Sequence, residues 1–194
     1  KTKTKLMNNL ELRMYGLVPY NISPIQQGIQ FGHAKDEYTL AMFEILDEKE
    51  KYGSESLELV SYYRDWLKNC KTYIVLSGGS TNLSSVNPGT LNQHLQTLRE
   101  KNVFCTAFYE PHLGDQLTGV DFLVDERVFN KEKYPDFVFS DNTKIPGYGK
   151  WSIDPLNPKF LNEFESERWK EWVKSIGGEK NLWLRFWLKN FRLA

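Results

Sequence analysis

Leu17-Val18-Pro19-Tyr20-Asn21-Ile22-Ser23-Pro24-Ile25-Gln26-Gln27-Gly28-Ile29-Gln30-Phe31-Gly32-His33-Ala34 changes its texture in the middle. The preceding residues Leu12–Val18 alternate loosely and read as a strand, which Pro19-Tyr20-Asn21 ends. Ser23-Pro24 then pairs an N-cap residue with a proline at the first helical position, so a helix starts there. It is expected to run to about Leu46, with Ile25, Ile29, Ala34, Ala41 and Ile45 near helical spacing. Gln26, Gln30 and His33 stand four and then three residues apart, so one polar stripe carries all three.

Beyond this helix Gly53-Ser54 breaks the pattern, and Leu57, Val60, Tyr63 and Leu67 mark one face of a second helix. Thr72–Leu76 reads as a strand and Ser77-Gly78-Gly79-Ser80 opens a loop to Val86. Asn87-Pro88 repeats the cap-plus-proline signal before Leu91, Leu95 and Leu98 of a third helix. Val103–Phe108 and Thr118–Val124 are strands, separated by the loop Glu110–Leu117. The order β-α-α-β-α-β-β predicts an α/β domain over 12–124, behind a flexible N-terminus at 1–11. It is a small layered domain with a mixed, partly parallel sheet and helices on both faces. Pro and Gly punctuate 125–158, an irregular ordered segment with short strands or turns expected around Phe137–Phe139. A helical appendix at 159–194 follows, with helices at about Pro158–Ser175 and Glu179–Lys189 split by Gly177-Gly178.

The 194 residues carry 25 basic and 25 acidic side chains, so the whole molecule offers little pull on a polyanion. The distribution is uneven: Asp36 to Glu58 holds eight acids against two lysines, and Lys159 to Ala194 holds eight basic residues against five acids. A polyanion would meet the second region. Cys70 and Cys105 make no disulfide framework, and no apolar run spans a bilayer or serves as a signal peptide. A cytoplasmic protein with no membrane partner is expected. His33, His94 and His112 are dispersed, without an HExxH or cysteine cluster, so no metal and no cofactor are expected. The glycines at 78 and 79 lack the spacing of a phosphate loop.

Five of the six tryptophans lie between Trp151 and Trp187. Each buries roughly 150–250 Å², so the appendix must pack onto something. Docking on the α/β core is the plain reading, with room for a homo-oligomeric seam. The sharper one makes Trp151, Trp169, Trp172, Trp183 and Trp187 an aromatic lid over a ligand.

Gln30, His33 and Ala34 match the end of the Ala-Ala-Gln-x-x-His-Ala-like helix motif of the archaeal-type peptidyl-tRNA hydrolases. His112-Leu113-Gly114-Asp115-Gln116-Leu117-Thr118 is similar to that family's Asp-x-Gly-x-Thr loop, with the Thr displaced by two positions. The resemblance covers 12–124, and with its extension the chain looks most like proteins encoded by large tailed phages. It implies a pocket facing a nucleotide-like small molecule or tRNA, in the host-cell cytoplasm for a phage protein. It also implies a catalytic lysine early in the first helix and an aspartate in the later loop, which fall on Gln26 and His112. Gln26 hydrogen-bonds but carries no charge, and losing one such stabiliser costs on the order of 3 kcal/mol, about a hundredfold in rate.

The expectation is therefore a protein that binds or sequesters a nucleotide signal or RNA without efficient hydrolysis, using Asn21, Ser23, Gln26, Gln30 and His33. A phage protein of that kind would act against host defence. The alternative is an active peptidyl-tRNA hydrolase using His112, Asp115 and Thr118, with Glu110 beside them. A third reading is a protein-interaction module built on the tryptophans. Against these stand plainer roles: Ser23 and Gln26 as helix capping, His33 as a core histidine between helix and sheet, and 110–118 as a loop whose side chains cap its turns.

Overall fold

The computed structural model describes residues 10–81, 88–139, 156 and 163–194. Strand β1, Leu12–Val18, is buried almost throughout, because it has a neighbour on each side. Ser23 caps helix α1, Pro24–Asp47, in a reciprocal capping box with Gln26. Helix α2, Ser54–Asp65, continues into a π turn, Trp66–Cys70, which Lys71 closes with left-handed backbone (φ 53°). Strand β2 is Thr72–Ser77, helix α3 Thr90–Glu100, strand β3 Cys105–Glu110 and strand β4 Gln116–Asp125.

The sheet order is β2-β1-β4-β3, with β1 and β2 parallel and the other two pairings antiparallel. The parallel pair needs a crossover, and α1 with α2 supplies it. Strand alternation sends Gly16 beneath Phe31 of α1, while Leu17 meets the neighbourhood of Leu91 of α3 on the opposite face. Helices therefore cover both faces of a mixed α/β sheet, as the element order predicted. The main core joins Leu12, Met14, Val18, Phe31, Tyr38, Met42, Ile45, Val60, Tyr63 and Trp66. Fully burying a ring the size of Trp66 contributes on the order of 4 kcal/mol before ordering entropy is subtracted.

Four expectations move. Ile25 and Ile29 are not core but 78% and 50% exposed, and the buried stripe is Gln27, Gln30, Phe31, Ala34, Tyr38, Met42 and Ile45. The sheet and α2 choose that stripe, and it begins with two glutamines that no apolar pattern selects. Helix α3 starts after Gly89, not at Asn87-Pro88; Asn87 lies outside the described residues. Its start is set by tertiary bonds: the Thr90 hydroxyl accepts from Ser80 N (2.9 Å) and donates to Gly78 O (3.3 Å). Strand β3 begins two residues late, because Val103 N is drawn back to Leu98 O (2.9 Å) to close α3. Residues 137–139 form neither strand nor turn.

The chain forms two compact units, 1–126 with 191–194, and 127–190. The last four residues thus leave the expected appendix. Leu193 bridges Leu76 in antiparallel sense, Ser77 N donates to Arg192 O (2.9 Å), and Ala194 N donates to Val75 O (3.0 Å). They cover the outer edge of β2. The expected flexible segment 1–11 lies outside the described residues except for Leu10 and Glu11.

The second unit contains most of the one-turn helix α4, Glu126–Phe129, and helices α5, Glu163–Ser175, and α6, Glu179–Trp187. Val173, Ile176 and Leu182 form its core, with Tyr134, Trp169, Trp172 and Phe186 packed against them. Arg185 is wholly buried there. Its guanidinium donates to both Asp136 Oδ1 (2.7 and 3.2 Å) and Tyr134 O (2.7 Å), reaches Arg127 O, and lies over the Trp172 ring. Among the described residues no helix is long and apolar enough to cross a membrane.

Candidate functional site

The α1 stripe and the later loop, some 80 residues apart in sequence, meet at one end of the sheet. Two glycines make the approach close. A Cβ on Gly119 would stand 2.6 Å from Gln30 O and 2.8 Å from Ala34 Cβ, so only glycine lets α1 settle there. A β-bulge does the rest. Phe108 pairs with Gly119 and Tyr109 with Leu117, which leaves Thr118 as the extra residue of β4. Thr118 thus faces α1, as its bond to Gln30 requires.

The hydrogen bonds here have a forced direction. Gln30 Nε2 donates to Glu110 Oε2 at 2.9 Å, since a carboxylate only accepts. That orientation turns the amide oxygen of Gln30 towards Thr118, whose hydroxyl must donate to it, at 2.6 Å. Glu110 Oε1 accepts from His112 N at 3.2 Å. Hydrogen bonds from Gln30 and from the His112 amide hold the Glu110 carboxyl below its ordinary range. Thr118 and Gln30 are buried, whereas Glu110 sits at the edge of the site.

His33 is exposed rather than a core histidine. Its ring stacks on Phe108 with centroids 4.5 Å apart and planes 24° apart. At the start of α1, Ser23 N donates to Gln26 Oε1 (3.0 Å) and Gln26 N to Ser23 Oγ (3.3 Å), so these two are engaged in capping. Asn21 is exposed, and Gln27, absent from the expected set, donates from its buried amide to Pro19 O (3.0 Å). The loop residues diverge. Asp115 has left-handed backbone (φ 56°) and an exposed side chain, and His112 is also exposed. Neither side chain hydrogen-bonds to the other or to Thr118, so the three do not form a joined acid–base group.

Sequence reasoning passed over Asp121. It is fully buried, and neither carboxyl oxygen has a hydrogen-bond partner. Burial pushes its carboxyl well above the ordinary range, with Lys35 pulling the other way. Gly16 supplies the space, since a Cβ there would lie 2.5 Å from Asp121 Oδ1, and the unpartnered Tyr38 hydroxyl is a charge neighbour. The signal was a lone acid inside Gly119-Val120-Asp121-Phe122-Leu123-Val124, an otherwise apolar run.

Of the expected lid, Trp151 lies outside the described residues. Trp172 donates its indole N–H to Pro135 O (3.0 Å), Trp169 packs on the second unit's core, and Trp183 stacks on Trp187 at 4.8 Å. An open cavity of about 430 Å³ in that unit is lined by Trp169, Val173 and Gly177 with Lys170, Lys174 and Glu179. It holds none of the expected ligand-binding residues. Among the described residues, no three His, Cys, Asp or Glu side chains gather as metal ligands. No family model matches the chain, and neither does any curated protein or solved structure compared with it.

Proposed function

We propose that the first unit is a nucleotide- or RNA-facing binding domain of the archaeal-type peptidyl-tRNA hydrolase kind, holding its ligand without efficient ester hydrolysis. One observation carries the non-hydrolytic part of this reading: the Thr118 proton is committed to the amide oxygen of Gln30, which is not a base. A hydroxyl nucleophile needs a base to take its proton, and none lies within hydrogen-bond reach of Thr118. Gln26, at the position of the expected lysine, has its amide oxygen turned back to the Ser23 N–H. The groups are arranged to hold and orient rather than to attack. The balanced net charge favours a small nucleotide, which needs only a local site, over a whole tRNA.

The test has two arms. Protein purified natively is denatured and its released small molecules are identified by mass spectrometry. The same protein is incubated with peptidyl-tRNA. An intact nucleotide in the first arm, with no peptide release above buffer in the second, is the expected result. Turnover of peptidyl-tRNA that collapses on Thr118→Val or His112→Ala would overturn it in favour of an active hydrolase.

A further inference from the structure

The seam between α1 and β3 carries more information than a general affinity for nucleotides. Gln30 and His33 stand one turn apart on α1, and Phe108 and Glu110 stand two apart on β3, so all four line one seam. The exposed His33 ring is backed by Phe108 at 4.5 Å, which gives a planar shelf for a further ring. Beside it, the Glu110 carboxylate is gripped from two directions: Gln30 Nε2 at 2.9 Å on one oxygen and His112 N at 3.2 Å on the other. A carboxylate has about four acceptor sites, so two remain after these bonds. One remaining acceptor site on each oxygen matches a ring that presents two adjacent N–H donors.

Among nucleobases only guanine does so, through its ring N1–H and its 2-amino group. Adenine and cytosine place a ring acceptor beside their amine, which a carboxylate repels. Uracil offers a single N–H between two carbonyls. Resting on the nucleotide-facing reading above, we propose that this seam selects a guanine base, stacked on His33 and held by Glu110. Gln30 is the positioning residue, oriented by Thr118 and aiming the carboxylate.

Isothermal titration of the full chain with guanosine, inosine, adenosine, cytidine and uridine 5′-monophosphates tests this, together with a mixed-sequence single-stranded RNA. Guanosine monophosphate should bind at least about tenfold more tightly than inosine monophosphate, which lacks only the 2-amino group. Glu110→Gln should erase that preference with circular dichroism unchanged. His33→Ala should weaken all bases alike. Equal binding of guanosine and adenosine monophosphates, or a guanine preference that survives Glu110→Gln, would overturn guanine selection and leave the nucleotide reading standing. Binding of none of the mononucleotides and no RNA would overturn both.

Discussion

Thr118 shows how much one hydroxyl decides. Its donated bond keeps the Gln30 amide turned so that the nitrogen meets Glu110. Thr118→Val keeps the shape but leaves a buried amide oxygen without its donor, at a cost of about 1–3 kcal/mol. Urea unfolding should show that loss, and Thr118→Ser should recover most of it. Asp121 makes a second case. Its carboxyl is raised in the folded chain, so the native state holds a proton that the unfolded state releases above about pH 4. Its contribution is fully present below that pH and is lost as pH rises towards the raised folded value. The titratable groups facing it are Lys35 and Tyr38 of α1. Asp121→Asn removes the titrating proton, so the variant's stability should stay flatter from pH 4 to 8 than the wild type's. Parallel slopes in urea titrations across that range would refute the assignment.

At the scale of elements, the site exists because α1 lies close on β4. Gly119 and Gly16 are the reason, and their freedom is one of space rather than of dihedral angle. Gly119→Ala would drive a methyl into Gln30 O, a backbone atom that moves only with the helix. A loss of about 1–3 kcal/mol is expected from such overpacking. It should come with weaker nucleotide binding, because the shift occurs at Gln30 itself. Unchanged affinity in a destabilised variant would separate the packing from the site. The same element explains why the apolar periodicity of α1 misled: Ile25 and Ile29 are spaced like a core face, yet Gln27 and Gln30 are buried by bonds to Pro19 and to Thr118 and Glu110.

At the scale of the molecule, two units have separate cores, and the second is organised round a buried cation. Removing Arg185 deletes its bonds to Asp136 and to the Tyr134 and Arg127 carbonyls, while Lys131 still holds the half-exposed Asp136, so a loss of about 1–3 kcal/mol is expected. Arg185→Ala should therefore unfold the 127–190 unit at lower urea, read through the fluorescence of Trp169, Trp172, Trp183 and Trp187. Burial raises the Asp136 carboxyl, but bonds from Lys131 and Arg185 outweigh it and hold the group at about 2, below the ordinary 3.8. Its stabilisation is present above the ordinary value and is lost as pH falls from there to about 2. Because Asp136 is 42% exposed, solvent screening reduces it to about 1 kcal/mol. Asp136→Asn should blunt acid unfolding of this unit across that window.

The element order, the Ser23-Pro24 helix start and the mixed α/β layering were readable from residues 12–124, because capping and periodicity are local and chain connectivity limits how strands can pair. Gln30, His33 and Thr118 were readable as candidates through a resemblance, and Asp121 could have been found as a lone acid in an apolar run. What joined them was not local. The bulge at Thr118, the close approach at Gly119 and the stacking of His33 on Phe108 depend on which strand lies beside which helix. The stretch from Leu17 to Ala34 determined where a helix begins and which polar residues share its face. Only the folded sheet decided that Gln30 is held between Thr118 and Glu110, since a hydrogen bond between residues 80 or 88 positions apart leaves no periodic trace in the chain.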